Sequence, residues 1–252
     1  MWGNSHTEGR SIAPRPSPEG GGDAQTQNRD LTMLIGNAPC SWGITYPTGN
    51  RYSWSEYLDE VAAAGYRGTE LGPFGFLPKD AGLLREELAR RDLTLIGATH
   101  VHTFGDATTA PELRATLRDL SGLLASLGAR HLVVMDESNR YPAGQEGVLD
   151  ETGWQGLTAM VRDARALVEG EYGLKLSFHP HVGTAVEKEH QIDRLLAETE
   201  IDLCFDTGHH AFWDQDPLAY MGKVFPRIAY MHLKNVDPAV RARVLAGALS
   251  IA

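Results

Sequence analysis

Several stretches of this 252-residue chain end an apolar run in side chains able to hold a cation or move a proton. Thr-Glu-Leu-Gly carries Glu70, Thr-His-Val-His carries His100 and His102, and Met-Asp-Glu-Ser carries Asp136 and Glu137. Further on, His-Pro-His supplies His179 and His181, Asp-Thr-Gly-His-His supplies Asp206, His209 and His210, and His-Leu-Lys supplies His232 and Lys234. Imidazole and carboxylate groups converging on one rim suit a divalent cation, Mn²⁺ or Co²⁺ first, with Zn²⁺, Fe²⁺ or Mg²⁺ behind them, because mixed nitrogen and oxygen ligation fits such ions. The cation would act as a Lewis acid. It would acidify the proton beside the ketone of a sugar-like substrate and hold the charge of the enediolate that forms. A nearby carboxylate or imidazole would then carry the proton. On residue types alone, the chemistry is metal-assisted enolisation of a small polyhydroxylated ketone.

Barrels of parallel strands place reactive groups at the C-terminal ends of those strands, so the order of elements decides whether these residues can meet. From Met33 onward, short β-branched or apolar runs alternate with segments of helical apolar spacing, the pattern of strands joined by crossover helices. The expected strands are Leu34–Cys40, Gly68–Leu71, Thr94–Ala98, His131–Met135, Leu174–Phe178, Ile201–Phe205 and Ile228–Met231. Helices are expected over Ser55–Ala64, Leu83–Arg91, Pro111–Leu127, Trp154–Glu169, Lys188–Glu198 and Pro217–Val224. Pro238–Ala252 opens with a proline suited to a first helical turn and predicts one more. The fold class is therefore α/β, a (β/α)8 barrel of TIM type lacking its eighth strand and helix in this chain. The barrel domain is expected over residues 33–252, C-terminally incomplete, with unpaired edges on its first and seventh strands. Residues 1–32 are rich in Gly, Pro, Ser and polar side chains and predict a disordered tail.

Composition narrows the partners. Lys plus Arg number 23 against 33 Asp plus Glu, a formal charge of −10, and no basic run interrupts it. A phosphate backbone would meet general repulsion, so no nucleic acid is expected. No apolar run approaches the roughly 18 residues that a membrane span needs, and no secretory leader opens the chain, which predicts cytoplasmic residence and no membrane partner. Cys40 and Cys204 each fall in a stretch that reads as a buried strand, so both are expected to be reduced and structural. A homo-oligomer remains open. The glycine run Gly20–Gly22 lacks the preceding strand and following helix of a phosphate loop and is rejected as one.

In order along the chain, Gly36–Gly43 (Gly-Asn-Ala-Pro-Cys-Ser-Trp-Gly), Glu70–Gly75, His179–Thr184, Phe205–His209 and His232–Lys234 together resemble the sugar phosphate isomerase/epimerase superfamily of xylose isomerase-like barrels, and within it the inosose dehydratases. The resemblance implies dehydration of a keto-inositol by a hydro-lyase, through an enediolate. It also implies metal ligands after strands five, six, seven and eight. Asp206 and His232 match the middle two, and His179 stands where many relatives carry Glu. The strand-eight Glu has no counterpart before Ala252.

Each assignment has a plainer competitor. His209, Glu137 and Lys234 are the candidates for proton transfer, although His209 and Lys234 could make only structural hydrogen bonds and Glu137 could simply begin a solvated loop. Glu70, His181 and Trp42 are the candidate substrate contacts. Glu70 could equally orient a neighbouring histidine, and Trp42 could pack a loop rather than wall a polyol ring. His100, His102 and His210 carry no motif support. An isomerase or epimerase using the same enolisation, or an inactive shortened barrel, are the alternatives to the dehydratase; an endonuclease would need a basic groove.

Overall fold

The computed structural model describes residues 33–137 and 149–249, so the expected tail over 1–32 and the last residues of the final predicted helix lie outside the described residues. The described residues from Leu34 onward form one unit, which holds every element of the fold. In chain order these are β1 (Gly36–Asn37), α1 (Trp54–Ala63), β2 (Gly68–Glu70), α2 (Ala81–Ala89), β3 (Thr94–His102), α3 (Ala110–Ser126), β4 (His131–Asp136) and α4 (Glu151–Tyr172). After α4 come β5 (Lys175–Phe178), α5 (Glu189–Glu198), β6 (Asp202–Asp206), α6 (Thr207–Phe212), α7 (Pro217–Val224), β7 (Ile228–His232) and α8 (Pro238–Leu245). The strands form one sheet in sequence order, β1 to β7, with every neighbouring pair parallel. Sequential parallel order with a helix between most strands is the (β/α)8 barrel arrangement, of which the described residues supply seven strands. No described helix is long and apolar enough to cross a membrane.

Local chemistry starts the helices where they stand. Ser53 accepts from the Glu56 N–H while Glu56 Oε2 accepts from the Ser53 N–H, a reciprocal cap on α1. Asp150 caps α4 through the Gly153 N–H, and Asp216 caps α7 through Leu218 and Ala219, each worth about 1 kcal/mol. Alternation along the strands then divides the layers. In β6, Leu203 and Phe205 face the helices, with the Phe205 ring 5.4 Å from His210 of α6 and 6.3 Å from Tyr220 of α7. Cys204 and Asp206 face the other way, into the barrel. The buried side chains Phe104, Phe178, Leu117, Leu124, Leu157 and Val161 belong to a single hydrophobic cluster between sheet and helices.

Three expectations need correction. The strand expected over Leu34–Cys40 is only Gly36–Asn37, because Pro39 has no N–H to continue a ladder and instead opens a 3₁₀ turn over Pro39–Trp42. Cys40 is accordingly exposed rather than buried, whereas Cys204 is buried as expected. The third strand runs on to His102, held by continuous pairing with β4 as far as His102 against Asp136, so His100 and His102 lie within it. The Asp-Thr-Gly-His-His segment, for which apolar spacing predicts no helix, enters the helix α6, started by Asp206 itself.

Candidate metal centre

Pairing of β6 with β7 sets Asp206 directly beside His232, and Cys204 beside Tyr230. Asp206 is the hub of the cluster. Its Oδ1 accepts from the N–H groups of Gly208 and His209, both 2.9 Å away. Its Oδ2 is buried, lacks an aligned hydrogen-bond donor, and lies 3.9 Å from His179 Nε2, 3.8 Å from His209 Nε2 and 3.8 Å from His232 Nδ1. Lys234 Nζ approaches it to 2.7 Å as an ion pair.

The hydrogen bonds made by the other ring nitrogens fix where each lone pair points. Neutral imidazole has one donor and one acceptor nitrogen, and a carbonyl or carboxylate can only accept. His179 Nδ1 donates to the Cys204 carbonyl at 3.4 Å, which leaves the Nε2 lone pair facing Asp206. His232 Nε2 donates to Glu70 Oε1 at 2.8 Å, which leaves the Nδ1 lone pair facing Asp206 when the ring is neutral. His209 Nε2 accepts from Lys234 Nζ at 3.1 Å. His181 Nδ1 donates to the Val182 carbonyl at 2.8 Å, freeing its Nε2. The Nε2 lone pair of His179, and the Nδ1 lone pair of His232 when that ring is neutral, thus face one carboxylate oxygen whose charge the Lys234 ammonium offsets. A metal–nitrogen or metal–oxygen bond is roughly 2.1 Å, so atoms 3.8 to 3.9 Å apart can share one ion. Ligand atoms of His179, His181 and His209 all lie within 4.8 Å of one another, as do those of His179, Cys204 and His232. The donors present fit a divalent cation.

Electrostatics agrees with that fit at His179, His181 and His209, whereas His232 must give up a proton to bind a cation. Burial drives His179 well below the ordinary imidazole range, with the neighbouring His232 adding to the effect. Burial also lowers His209 and brings His181 down to about 4. These rings are neutral at neutral pH, the state that binds metal. Burial would raise Asp206, but the Lys234 charge and nearby donors outweigh it and keep the carboxyl below its usual value. Burial likewise opposes ionisation of Glu70, which His232 and the 3.0 Å hydrogen bond from Thr99 overcome. On His232, burial opposes charge while Cys204 and Glu70 favour it, and the net shift is upward. Because burial pushes the Cys204 thiol up as well, the Glu70 carboxylate is the effective counter-charge at neutral pH.

The sequence-derived candidates divide into two sets. His179, Asp206, His232, Glu70, His209, His181 and Lys234 come together. Glu70 is buried and accepts from His232, the contact that its reading as the partner of a histidine expects. Rigid loop chemistry places His181: the Thr184 hydroxyl donates to the His181 carbonyl, Glu187 accepts from the Gly183 N–H, and the Ala185 N–H donates to Asp136. Gly183 sits at φ 78°, where a side chain would be strained. Asp136, which also accepts from the Phe104 N–H, anchors loops. Trp42 and Glu137 stand elsewhere on the rim. Trp42 Nε1 donates to Asn37 and its ring packs against Tyr52 and Tyr57, while exposed Glu137 accepts from the Thr103 hydroxyl. Thr99 and the inward face of Cys204 are parts of the site that residue types and motifs do not single out, and Thr207 and Gly208, inside the Phe205–His209 motif, carry no expected role of their own. For Cys204 a signal exists, since two residues before Asp206 on a strand is the same face.

Comparison with known proteins places this geometry. Residues 58–247 match the family described as xylose isomerase-like TIM barrel. The rhizopine catabolism protein MocC of Rhizobium meliloti is 34% identical over 234 residues, covering 89% of this chain and 71% of that protein. An inosose dehydratase of Geobacillus kaustophilus is 30% identical over 215 residues, covering 80% of this chain and 69% of the relative. Among solved structures, a xylose isomerase-like TIM barrel protein from Mycobacterium smegmatis in complex with magnesium superposes with a TM-score of 0.65 at 18% identity, covering 83% of this chain and 78% of that one. Strand order, rim placement of the histidine and carboxylate cluster and a match over most of the chain agree: this chain belongs to the xylose isomerase-like TIM barrel family.

Proposed function

We propose that this chain is a metal-dependent hydro-lyase of the inosose dehydratase kind, removing water from a cyclic keto-polyol. The carrying observation is the set of imidazole nitrogens 3.8 to 3.9 Å from Asp206 Oδ2, in a chain 30% identical to an inosose dehydratase. His179, Asp206 and His232 would hold the cation, with Mn²⁺ or Co²⁺ the ions best suited to the mixed nitrogen and oxygen set. Bound there, a divalent ion would polarise the ketone and offset the negative charge that develops as the neighbouring proton leaves.

The side chains do the rest. Glu70 fixes the His232 ring so that Nδ1 rather than Nε2 meets the ion. His209 would take the proton at Nε2 once the Lys234 ammonium has moved off that nitrogen, and Lys234 would return a proton to the departing hydroxyl. His181 Nε2 is available to a substrate hydroxyl. Trp42 and Glu137 would contribute only if the substrate extends over the β1 and β4 rims.

Mass spectrometry of the protein incubated with Mn²⁺ and a keto-inositol tests the reading. The expected product is lighter than substrate by one water and fails to form when a chelator removes the metal. A product of unchanged mass with one inverted centre would make the chain an epimerase, and no turnover of any keto-polyol would remove the dehydratase reading.

A further inference from the structure

Lys234 stands closer to Asp206 Oδ2 than any ring nitrogen does, 2.7 Å against 3.8 to 3.9 Å. Its ammonium also touches His209 Nε2. The position is built. The Thr207 hydroxyl donates to the Lys234 carbonyl at 2.8 Å and accepts from the Lys234 N–H at 3.0 Å, a two-way clasp between the start of α6 and the segment after β7. Gly208 makes the close approach possible, because a Cβ there would lie 2.6 Å from Lys234 Cβ. Asp206 in turn holds this helix start through the Gly208 and His209 N–H groups. The Asp-Thr-Gly segment and the lysine of His-Leu-Lys are therefore one device that presses an ammonium against the carboxylate.

We infer that Lys234 is a built-in counter-cation of Asp206 that competes with the metal, and that Thr207 and Gly208 are positioning residues which set metal affinity through it. The inference rests on the proposed metal centre. A buried carboxylate without a partner is strongly unfavourable, and an ammonium on the same oxygen relieves it. A divalent ion arriving at that oxygen meets this positive charge at short range and must displace it or be weakened by it. The lysine can leave: its side chain is 41% exposed on a flexible four-carbon stem. Once displaced, the ammonium is free to meet a substrate oxygen, so loading of the ion readies the lysine.

Calorimetric titration of the metal-free chain with Mn²⁺ alone, and separately with Zn²⁺ alone, reads the effect without any turnover. Lys234→Met is expected to bind Mn²⁺ roughly tenfold or more tightly than the parent, since a like charge is removed from the ion's neighbourhood. Thr207→Val and Gly208→Ala should shift affinity the same way by loosening the clasp, and Thr207→Ser should restore the parent value. General structural damage would weaken binding, so a gain identifies the competition. Parallel melts without metal should show Lys234→Met less stable and more strongly rescued by Mn²⁺. Equal or weaker Mn²⁺ binding by both folded Lys234→Met and Thr207→Val would overturn the inference while leaving the metal centre intact. Absence of binding by the parent and every variant would overturn both.

Discussion

Asp206→Asn is expected to give a folded protein that neither retains a divalent cation nor turns over substrate. Asparagine keeps the Oδ1 acceptor that starts α6 through Gly208 and His209, so the local backbone has no reason to move. What it removes is the negative oxygen on which His179, His209 and His232 converge. Metal affinity should fall by more than the roughly 10–100-fold that loss of a supporting partner costs. Elemental analysis after dialysis checks the loss of metal, and a thermal melt checks the retained fold. Full metal retention in a normally folded Asp206→Asn protein would remove this residue from the site.

Glu70→Gln is the second large effect, and it separates the two readings of that residue. The carboxylate can only accept, so it forces the proton of neutral His232 onto Nε2 and leaves Nδ1 for the ion. Glutamine can offer an N–H to Nε2 instead, which turns the Nδ1 proton toward Asp206 and spoils a ligand. Mn²⁺ affinity is expected to drop roughly 10–100-fold, with little loss of fold because a buried neutral amide is easier to accommodate than a buried charge. If Glu70 served substrate directly, the same variant would raise KM and leave the Mn²⁺ Kd unchanged.

The strand-end histidines and carboxylates are legible in the sequence because each follows an apolar run, and period-two alternation fixes which of them turn inward. The same logic locates every strand, and it fails where a local rule competes with the apolar pattern. Pro39 ends the first strand on its C-terminal side, and Leu34 and Ile35 before it, although apolar, are exposed and outside the ladder. Asp206 reads as a ligand, yet an Asp before Thr-Gly-His is also a helix start, and the two roles use different oxygens of one carboxylate. Glu70 and His232, 162 residues apart, meet only because the barrel curls, and no local pattern announces such a pair. Nor does sequence alone explain Thr207 and Gly208, whose partner Lys234 lies on the next strand's loop.

The most direct test of the metal centre is a crystal of the chain grown with Mn²⁺ and measured at the manganese absorption edge. An anomalous peak within bonding distance of Asp206 Oδ2, His232 Nδ1 and His179 Nε2, with His232 Nε2 still on Glu70, is the predicted result. A peak bound only by other residues, or none at a Mn²⁺ concentration that supports turnover, would contradict it.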